Sequence, residues 1–302
     1  MTHSPIVPRL TARLLLLAAA ALPAAAQEFP ATPGPLRLSE GDTLVFLGDS
    51  ITHQCLYTQY VEDFVYTRFP RLRIHLHNAG VGGDTAGDAL ERFEEDVAGL
   101  HPAAVFLLLG MNDGRYTAPD AGIFDTYQKD MTRLLDQVAD LGAQPILMAP
   151  TWFDQRTALR GKNWISPERA QVVHYNATLA SFGAWLRDQA EARGLRFADL
   201  AAPLAEVTRS ARRDDPAFTM IPDAVHPGPD GHLVMALALL EDLGFDGELS
   251  ALEVFRQGGR WRVEAHGGTL SKVAGEKIRF LFEARGLPWV VPEDAAAGFR
   301  AA

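Results

Sequence analysis

The chain has 302 residues, of which 47% are hydrophobic and 22% are charged, a balance typical of a globular protein and not of a disordered or fibrous one. Its 28 Lys and Arg residues against 38 Asp and Glu residues give a formal net charge of −10, which argues against a nucleic-acid-binding surface. The single cysteine can form neither an internal disulfide nor a cysteine-based zinc site. At this length, one α/β domain with a small appendage is expected.

The N-terminal segment has the three-part layout of a secretory signal peptide. Arg9 and Arg13 precede an apolar run, which Pro23 separates from three alanines. The stretch Leu14–Ala26 has 13 residues, well short of the roughly 20 that a membrane-spanning helix needs. We therefore expect cleavage after Ala26, a secreted or periplasmic bacterial protein, and no stable membrane insertion of the mature chain.

The body of the chain alternates short apolar runs with amphipathic stretches, which predicts a parallel sheet covered by helices on both faces. We predict strands over residues 43–47, 73–77, 103–109, 145–148 and 196–198. We predict helices after Ser50 and over residues 88–100, 126–141, 168–193 and 232–243, with Asp230 as the N-cap of the last. The glycine-rich segment 78–83 is expected to be a loop.

From residue 248 onward the pattern changes to short alternating strands. Ala251–Gln257 and Arg260–Ala265 flank a Gly-Gly pair, which is a two-residue hairpin signal. A third strand is predicted over Lys277–Glu283. The chain is therefore expected to end in a small β-rich module, which looks incomplete at its C-terminal end.

Polar motifs follow the first three predicted strands, at the sheet edge where α/β proteins place reactive groups. Ser50 comes directly before a helix, whose free N–H groups could stabilise an oxyanion, although taken alone the residue is better interpreted as an exposed helix cap. In the glycine-rich segment, Thr85 replaces the third glycine of a dinucleotide-binding loop, so a backbone N–H such as that of Gly83, aimed at a substrate oxygen, is the better interpretation. Asn112 is either a turn residue or an amide donor to an oxyanion.

A fourth polar motif comes just before the last predicted helix. His226 lies there with Asp223 three residues earlier, close enough to hold its second ring nitrogen and fix the tautomer. The other eight histidines lack this setting, and His75 and His77 share a strand face with no third metal ligand nearby in sequence. Cys55 is an alternative nucleophile, but it has no paired histidine and is expected to face the core as a small apolar residue.

Taken in order, Gly-Asp-Ser, Gly-Gly-Asp-Thr, Gly-Met-Asn-Asp and Asp-Ala-Val-His resemble the four signature blocks of the SGNH, or GDSL, hydrolase family. The resemblance implies a three-layer α/β/α fold with a five-stranded, flavodoxin-like parallel sheet. It further implies Ser50 as nucleophile, His226 as general base and acid, and Asp223 as the group that orients the histidine. The oxyanion hole would comprise the Ser50 N–H, the Gly83 N–H and the Asn112 side chain, with no metal or cofactor.

The expected organisation has four parts: a signal peptide over residues 1–26, a leader over 27–40, the hydrolase domain over 41–243 and the β-rich module over 244–302.

The resemblance predicts a serine hydrolase that cleaves carboxylic esters through an acyl-enzyme intermediate. The loop after the fourth strand holds Trp152 and Trp164, whose flat side chains either bind a sugar ring or simply pin the loop. Export together with this loop favours deacetylation of an O-acetylated carbohydrate or similar small ester. The alternatives are a thioesterase, lysophospholipase or arylesterase of the same family, or a carbohydrate-binding or surface module without catalysis.

Overall fold

The computed structural model describes residues 36–160, 174–245, 247, 249–274 and 278–301. Its main sheet consists of five parallel strands in the order β2-β1-β3-β4-β5, which is the flavodoxin-like order. The strands are β1 (Thr43–Gly48), β2 (His75–Gly80), β3 (Ala104–Leu108), β4 (Gln144–Met148) and β5 (Arg196–Ala198). The predicted fold class is confirmed.

Helices pack against both faces of this sheet. They are α1 (Ser50–His53), α2 (Leu56–Arg68), α3 (Ala86–Glu91), α4 (Phe93–Asp96), α5 (Ala121–Asp140), α6 (Gln155–Ala158), α7 (Tyr175–Arg193), α8 (Ala201–Ala211), α9 (Pro229–Asp242) and α10 (Ala296–Ala301). Two 3-10 turns, Ala98–Leu100 and Glu293–Ala295, complete the helical segments of the described residues. No helix among those residues is both long enough and apolar enough to cross a membrane.

Alternation of side chains along the central strands divides the core into two layers. Phe46 and Phe106 stack on one face of the sheet with ring centroids 4.3 Å apart, and that face packs against α2, α8 and α9. Val105 and Leu107 point to the other face, which packs against α3, α5 and α7. Every residue of β3 is buried, as expected for the middle strand of a parallel sheet.

Two strand-end glycines allow α1 to approach the sheet closely. A Cβ on Gly48 would lie 2.2 Å from the Thr52 Oγ1, and a Cβ on Gly80 would lie 2.3 Å from the His53 backbone nitrogen. Gly48 and Gly80 are also opposite each other in the β1–β2 register. Any larger side chain at these positions would push α1, and with it Ser50, away from the sheet edge.

Two predicted helix starts are wrong because the capping residues lie earlier in the chain. Helix α5 starts at Ala121 instead of residue 126, since the Asp120 carboxylate accepts the Ile123 N–H and caps it. Helix α9 starts at Pro229 with Gly228 as its N-cap, so Asp230 lies in the first turn and is not the cap. The Asp230 carboxylate instead accepts the N–H of residue 298, near the end of the chain.

Other differences between prediction and structure concern where helices and strands are interrupted or extended. The stretch predicted as one helix over 88–100 is divided into α3, α4 and a 3-10 turn. Strand β2 runs to Gly80, so it includes the first part of the predicted loop. Helix α8 was not predicted, and residues 168–173 of the helix predicted over 168–193 lie outside the described residues.

The C-terminal region contains two antiparallel pairs of strands, which confirms its predicted β-rich character. Strands β6 (Ala251–Gln257) and β7 (Arg260–His266) form the predicted hairpin, whose two turn glycines both have positive φ. Strands β8 (Gly268–Ala274) and β9 (Arg279–Ala284) form the second pair. The predicted third strand corresponds to β9, and β8 was missed.

Candidate active site

Ser50 and His226, which are 176 positions apart in the sequence, are joined by a hydrogen bond between their side chains. The Ser50 Oγ lies 2.8 Å from the His226 Nε2. The other ring nitrogen, Nδ1, lies 2.6 Å from the Asp223 Oδ2. In this series a hydroxyl, an imidazole and a carboxylate are in the order that allows the imidazole to accept the hydroxyl proton while the carboxylate holds the ring.

The backbone of the same turn also holds the Asp223 carboxylate. Its Oδ1 accepts the backbone N–H of His226 at 2.7 Å and that of Val225 at 3.0 Å. Burial acts to raise the pKa of Asp223, but the hydrogen bonds from these two residues outweigh it, so the pKa lies below its ordinary value. The hydrogen bond to Asp223 in turn raises the pKa of His226, against the opposing effect of burial. The imidazole is therefore a stronger base than a free histidine.

Gly83 and Asn112 follow β2 and β3, the two strands adjacent to β1. Gly83 has a φ of +89° and is exposed, and a Cβ there would meet no described atom within 4 Å, so backbone conformation rather than space favours glycine. The Asn112 Nδ2 donates one hydrogen to the Asp84 carbonyl at 2.9 Å, and the Tyr116 hydroxyl lies 3.4 Å from the Asn112 Oδ1. The amide is thus oriented from both ends, and the contact with Asp84 uses one of its two N–H donors.

Arg92 ties the glycine-rich loop to the end of β1. Its Nε lies 2.6 Å from the Asp84 carboxylate, and a second guanidinium nitrogen donates to the Gly48 carbonyl at 3.2 Å. A third contact, at 2.8 Å, joins it to Asp96. Sequence reasoning missed this residue, although a lone arginine among the acidic residues of 91–96 was a visible signal.

Two largely buried carboxyls, Asp49 and Asp113, follow β1 and β3. The Asp49 Oδ1 accepts the Ile51 N–H at 2.9 Å and caps α1, and the Asp113 Oδ1 accepts the Ala86 N–H at 2.8 Å at the start of α3. The Asp113 Oδ2 is buried with no hydrogen-bond partner among the described residues. Burial raises the pKa of both carboxyls to about 7. Their charge therefore changes near neutral pH.

The remaining candidates are placed less centrally. Trp152 is half-buried against the core, with the Arg212 guanidinium 5.8 Å from its ring centroid, and Trp164 lies outside the described residues. Cys55 does not face the core as predicted: it is half-exposed at the start of α2, has a φ of +67°, and its Sγ donates to the His53 carbonyl. The described ranges contain no group of three or more His, Cys, Asp or Glu side chains suited to a metal ion.

Comparison with known proteins identifies the class of this fold and site. Residues 46–234 match the profile of the GDSL-like Lipase/Acylhydrolase family, which is more than half of the chain. The chain belongs to this family, whose members are hydrolases of carboxylic esters. The predicted family and enzyme class are confirmed.

Three comparisons specify the relatives. An acetylxylan esterase of Geobacillus stearothermophilus is 28% identical over 233 residues, which cover 70% of this chain and 98% of the esterase. A structure of a catalytic mutant of that esterase covers the same shares at 25% identity, with a TM-score of 0.55. A gut microbial diltiazem-metabolizing enzyme covers 90% of this chain at 27% identity, with a TM-score of 0.73, and the chain spans 64% of that enzyme's length. The catalytic mutants of the esterase replace a serine, an aspartate or a histidine by alanine.

Proposed function

We propose that the protein is a serine esterase that removes acetyl groups from an O-acetylated carbohydrate. The observation that carries the chemistry is the hydrogen-bonded series from the Ser50 Oγ through His226 to Asp223, with contacts of 2.8 Å and 2.6 Å. The similarity to the acetylxylan esterase, which covers 98% of that enzyme's length, supports an acetylated carbohydrate as the substrate. The catalytic mutants of that esterase concern the same three residue types.

In the first half-reaction, the acyl group of the ester is transferred to Ser50 and the alcohol is released. The His226 Nε2 takes the Ser50 proton as the Oγ forms a bond to the carbonyl carbon of the ester. The resulting negative oxygen accepts hydrogen bonds from the Ser50 N–H, the Gly83 N–H and the free N–H of Asn112. The bond to the alcohol oxygen then breaks, and His226 gives its proton to that oxygen.

In the second half-reaction, water releases the acid. His226 removes a proton from water while the water oxygen bonds to the acyl carbon, and the same three donors hold the second oxyanion. The bond to the Ser50 Oγ breaks and His226 returns the proton to it. Asp223 stays ionised throughout, because the hydrogen bonds that lower its pKa persist in both steps.

The alcohol side of the substrate is proposed to bind near the loop after β4. Trp152 belongs to this loop. The loop contacts the segment of Asp223 and His226, because the Asp154 N–H donates to the Ala224 carbonyl at 3.0 Å. A half-exposed indole beside a hydrolytic centre offers a flat apolar surface to a sugar ring. Trp164, on the same stretch of sequence, is proposed to contribute to the same surface.

Export is part of the proposal. The N-terminal pattern of residues 1–26 supports a cleaved signal peptide, which would place the mature enzyme outside the cytoplasm, where acetylated polysaccharides occur. The mature chain would then begin at Gln27. N-terminal sequencing of protein from the culture medium or periplasm tests this point.

A substrate panel tests the proposed activity. The mature protein is incubated with acetylated xylan, with release of acetate measured, and in parallel with p-nitrophenyl acetate, butyrate and octanoate. We expect acetate release from the polymer and a kcat/KM that falls as the acyl chain lengthens, with Ser50→Ala giving the background rate. Faster cleavage of the octanoate than of the acetate, with no acetate released from the polymer, would assign the substrate to another part of the family and contradict the proposal.

A further inference from the structure

Asp154 is a fully buried carboxylate that takes no part in the two half-reactions. It lies just before α6 in the loop after β4, with a relative exposure of 0%. Its Oδ2 lies 2.5 Å from a guanidinium nitrogen of Arg212, 2.5 Å from the Thr219 Oγ1 and 2.7 Å from the Thr157 Oγ1. A charge buried this deeply is stable only when it is fully paired, and these three donors pair it.

Arg212 extends the same network to two further segments. It directly follows α8, its side chain is only 9% exposed, and its Nε donates to the Phe218 carbonyl at 2.8 Å. Its guanidinium also packs over the Trp152 ring. The ion pair therefore joins the loop after β4, the end of α8 and the chain that leads to Asp223.

The network reaches the turn of Asp223 by two routes. Along the backbone, the Asp154 N–H donates to the carbonyl of Ala224, the residue that follows Asp223. Through side chains, the Asp154 carboxylate holds the Thr219 hydroxyl, which accepts the Ile221 N–H at 2.9 Å.

Ala224 is the strained point of this turn. Its φ of +77° is in the left-handed region, which a residue with a Cβ occupies only when its surroundings hold it there. The Ala224 N–H donates to the Ile221 carbonyl, so the residue is fixed at both its N–H and its carbonyl. This backbone conformation is the one that presents the Asp223 carboxylate to His226.

We propose that the buried Asp154–Arg212 pair positions the Asp223 carboxylate of the catalytic series. It holds the strained turn at Ala224, and so keeps Asp223 in contact with His226 during proton transfer. The inference rests on the proposed function of Asp223 and His226. Asp154 and Arg212 are positioning residues, because they act on the reaction through Asp223 alone.

The first test compares Asp154→Asn with wild type on p-nitrophenyl acetate. We expect kcat to fall by roughly 10- to 100-fold, as for a displaced catalytic group, with KM changed less than about threefold. The acid limb of the kcat/KM profile should also move to lower pH, because a loosely held Asp223 raises the pKa of His226 less. Two other titratable groups are coupled to His226. Asp49 also raises the pKa of His226, and the buried His232 has its own pKa lowered to about 3, so that it stays neutral over the pH range of the test.

A second measurement does not depend on a substrate. The imidazole pKa of His226 is followed by NMR titration of histidine-labelled protein, with its signal assigned by comparison with His226→Gln. We expect a lower pKa in Asp154→Asn than in wild type. If wild type hydrolyses no ester while this pKa difference is observed, the proposed function fails and the positioning role stands.

Further variants separate positioning from general stability. Arg212→Lys, which keeps the charge, should retain more activity than Arg212→Met. Thr219→Val should shift the acid limb to lower pH by a smaller amount than Asp154→Asn. This variant also tests the proposal if Asp154→Asn fails to fold. Val138→Ala, a truncation at a fully buried site on the opposite face of the sheet, should lower the melting temperature but leave the acid limb unchanged. Folded Asp154→Asn or Thr219→Val with the wild-type kcat, acid limb and His226 pKa would overturn the proposal.

Discussion

The two sides of the site reach their positions by different means. Ser50, Gly83 and Asn112 follow three adjacent parallel strands, so the register of the sheet brings them to one edge. Asp223 and His226 lie between α8 and α9, outside the sheet, and their turn is held by contacts from elsewhere in the chain. The side of Ser50, which we call the nucleophile side after its proposed role, is therefore placed by the backbone of the fold. The side of Asp223 and His226, which we call the base side after the proposed role of His226, is placed by buried polar side chains.

The difference shows in what each side requires of its residues. The nucleophile side depends on small residues, because Gly48 and Gly80 must admit α1 against the strand ends. The base side depends on partners far away in sequence, such as Asp154, and Gln54, whose side chain lies 3.5 Å from the Pro227 carbonyl. Substitutions should consequently damage the two sides in distinguishable ways.

The largest effects should come from two single variants, one on each side of the site. Ser50→Ala and His226→Ala should each lower kcat by about 10⁴-fold or more on p-nitrophenyl acetate, because nucleophile and base act as one unit. The double variant should be no slower than either single variant. Additive losses in the double variant would show that the two residues act independently and would contradict the shared hydrogen bond.

Asn112→Ala tests the oxyanion donor on the nucleophile side. Loss of one such donor typically lowers kcat by about 10²- to 10³-fold, and we expect this effect with little change in KM. Circular dichroism should show an unchanged fold, since Asn112 is only half-buried. A kcat within about threefold of wild type would remove Asn112 from the oxyanion hole.

Arg92→Met tests whether the glycine-rich loop must be anchored. Without the contacts to Asp84 and the Gly48 carbonyl, the loop that carries Gly83 should shift, with a loss in kcat of roughly 10-fold. Arg193→Met, which removes an exposed ion pair with Asp136, is the matched control and should keep the wild-type rate. Equal rates for both variants would show that the loop needs no anchor.

The smallest expected effect is on stability and depends on pH. Folding raises the pKa of Asp113 from an ordinary value of 3.8 to about 7, so the folded protein binds this proton more tightly than the unfolded chain. The stabilisation is present at low pH and is lost as pH rises through this range. Asp113→Asn keeps an acceptor for the Ala86 N–H. We take the melting temperature of this variant minus that of wild type, and we expect this difference to be a few degrees larger at about pH 8 than at about pH 5. An equal difference at both pH values would contradict the raised pKa.

The sequence predicts the nucleophile side better than the base side, because the first depends on local strand patterns and the second on contacts between distant residues. Apolar runs at 43–47 and 103–109 and the polar residues directly after them predict the sheet and the strand-end placement of Ser50 and Asn112, because strand patterns are local. The spacing of Asp223 and His226 is local too. The support for their turn is not, since Asp154 contacts Arg212 and Thr219 across 58 and 65 positions. No periodicity links such residues, so the network was missed, as was Arg92.

The most direct test of the central claim is covalent labelling of the mature protein with a fluorophosphonate, followed by peptide mass spectrometry. An activated serine reacts with this reagent, whereas an ordinary exposed serine does not. We predict one adduct per chain, located on Ser50, with none in Ser50→Ala and much slower labelling in His226→Ala. An unlabelled wild-type protein, or an adduct at any other residue, would contradict the assignment of Ser50 as the nucleophile.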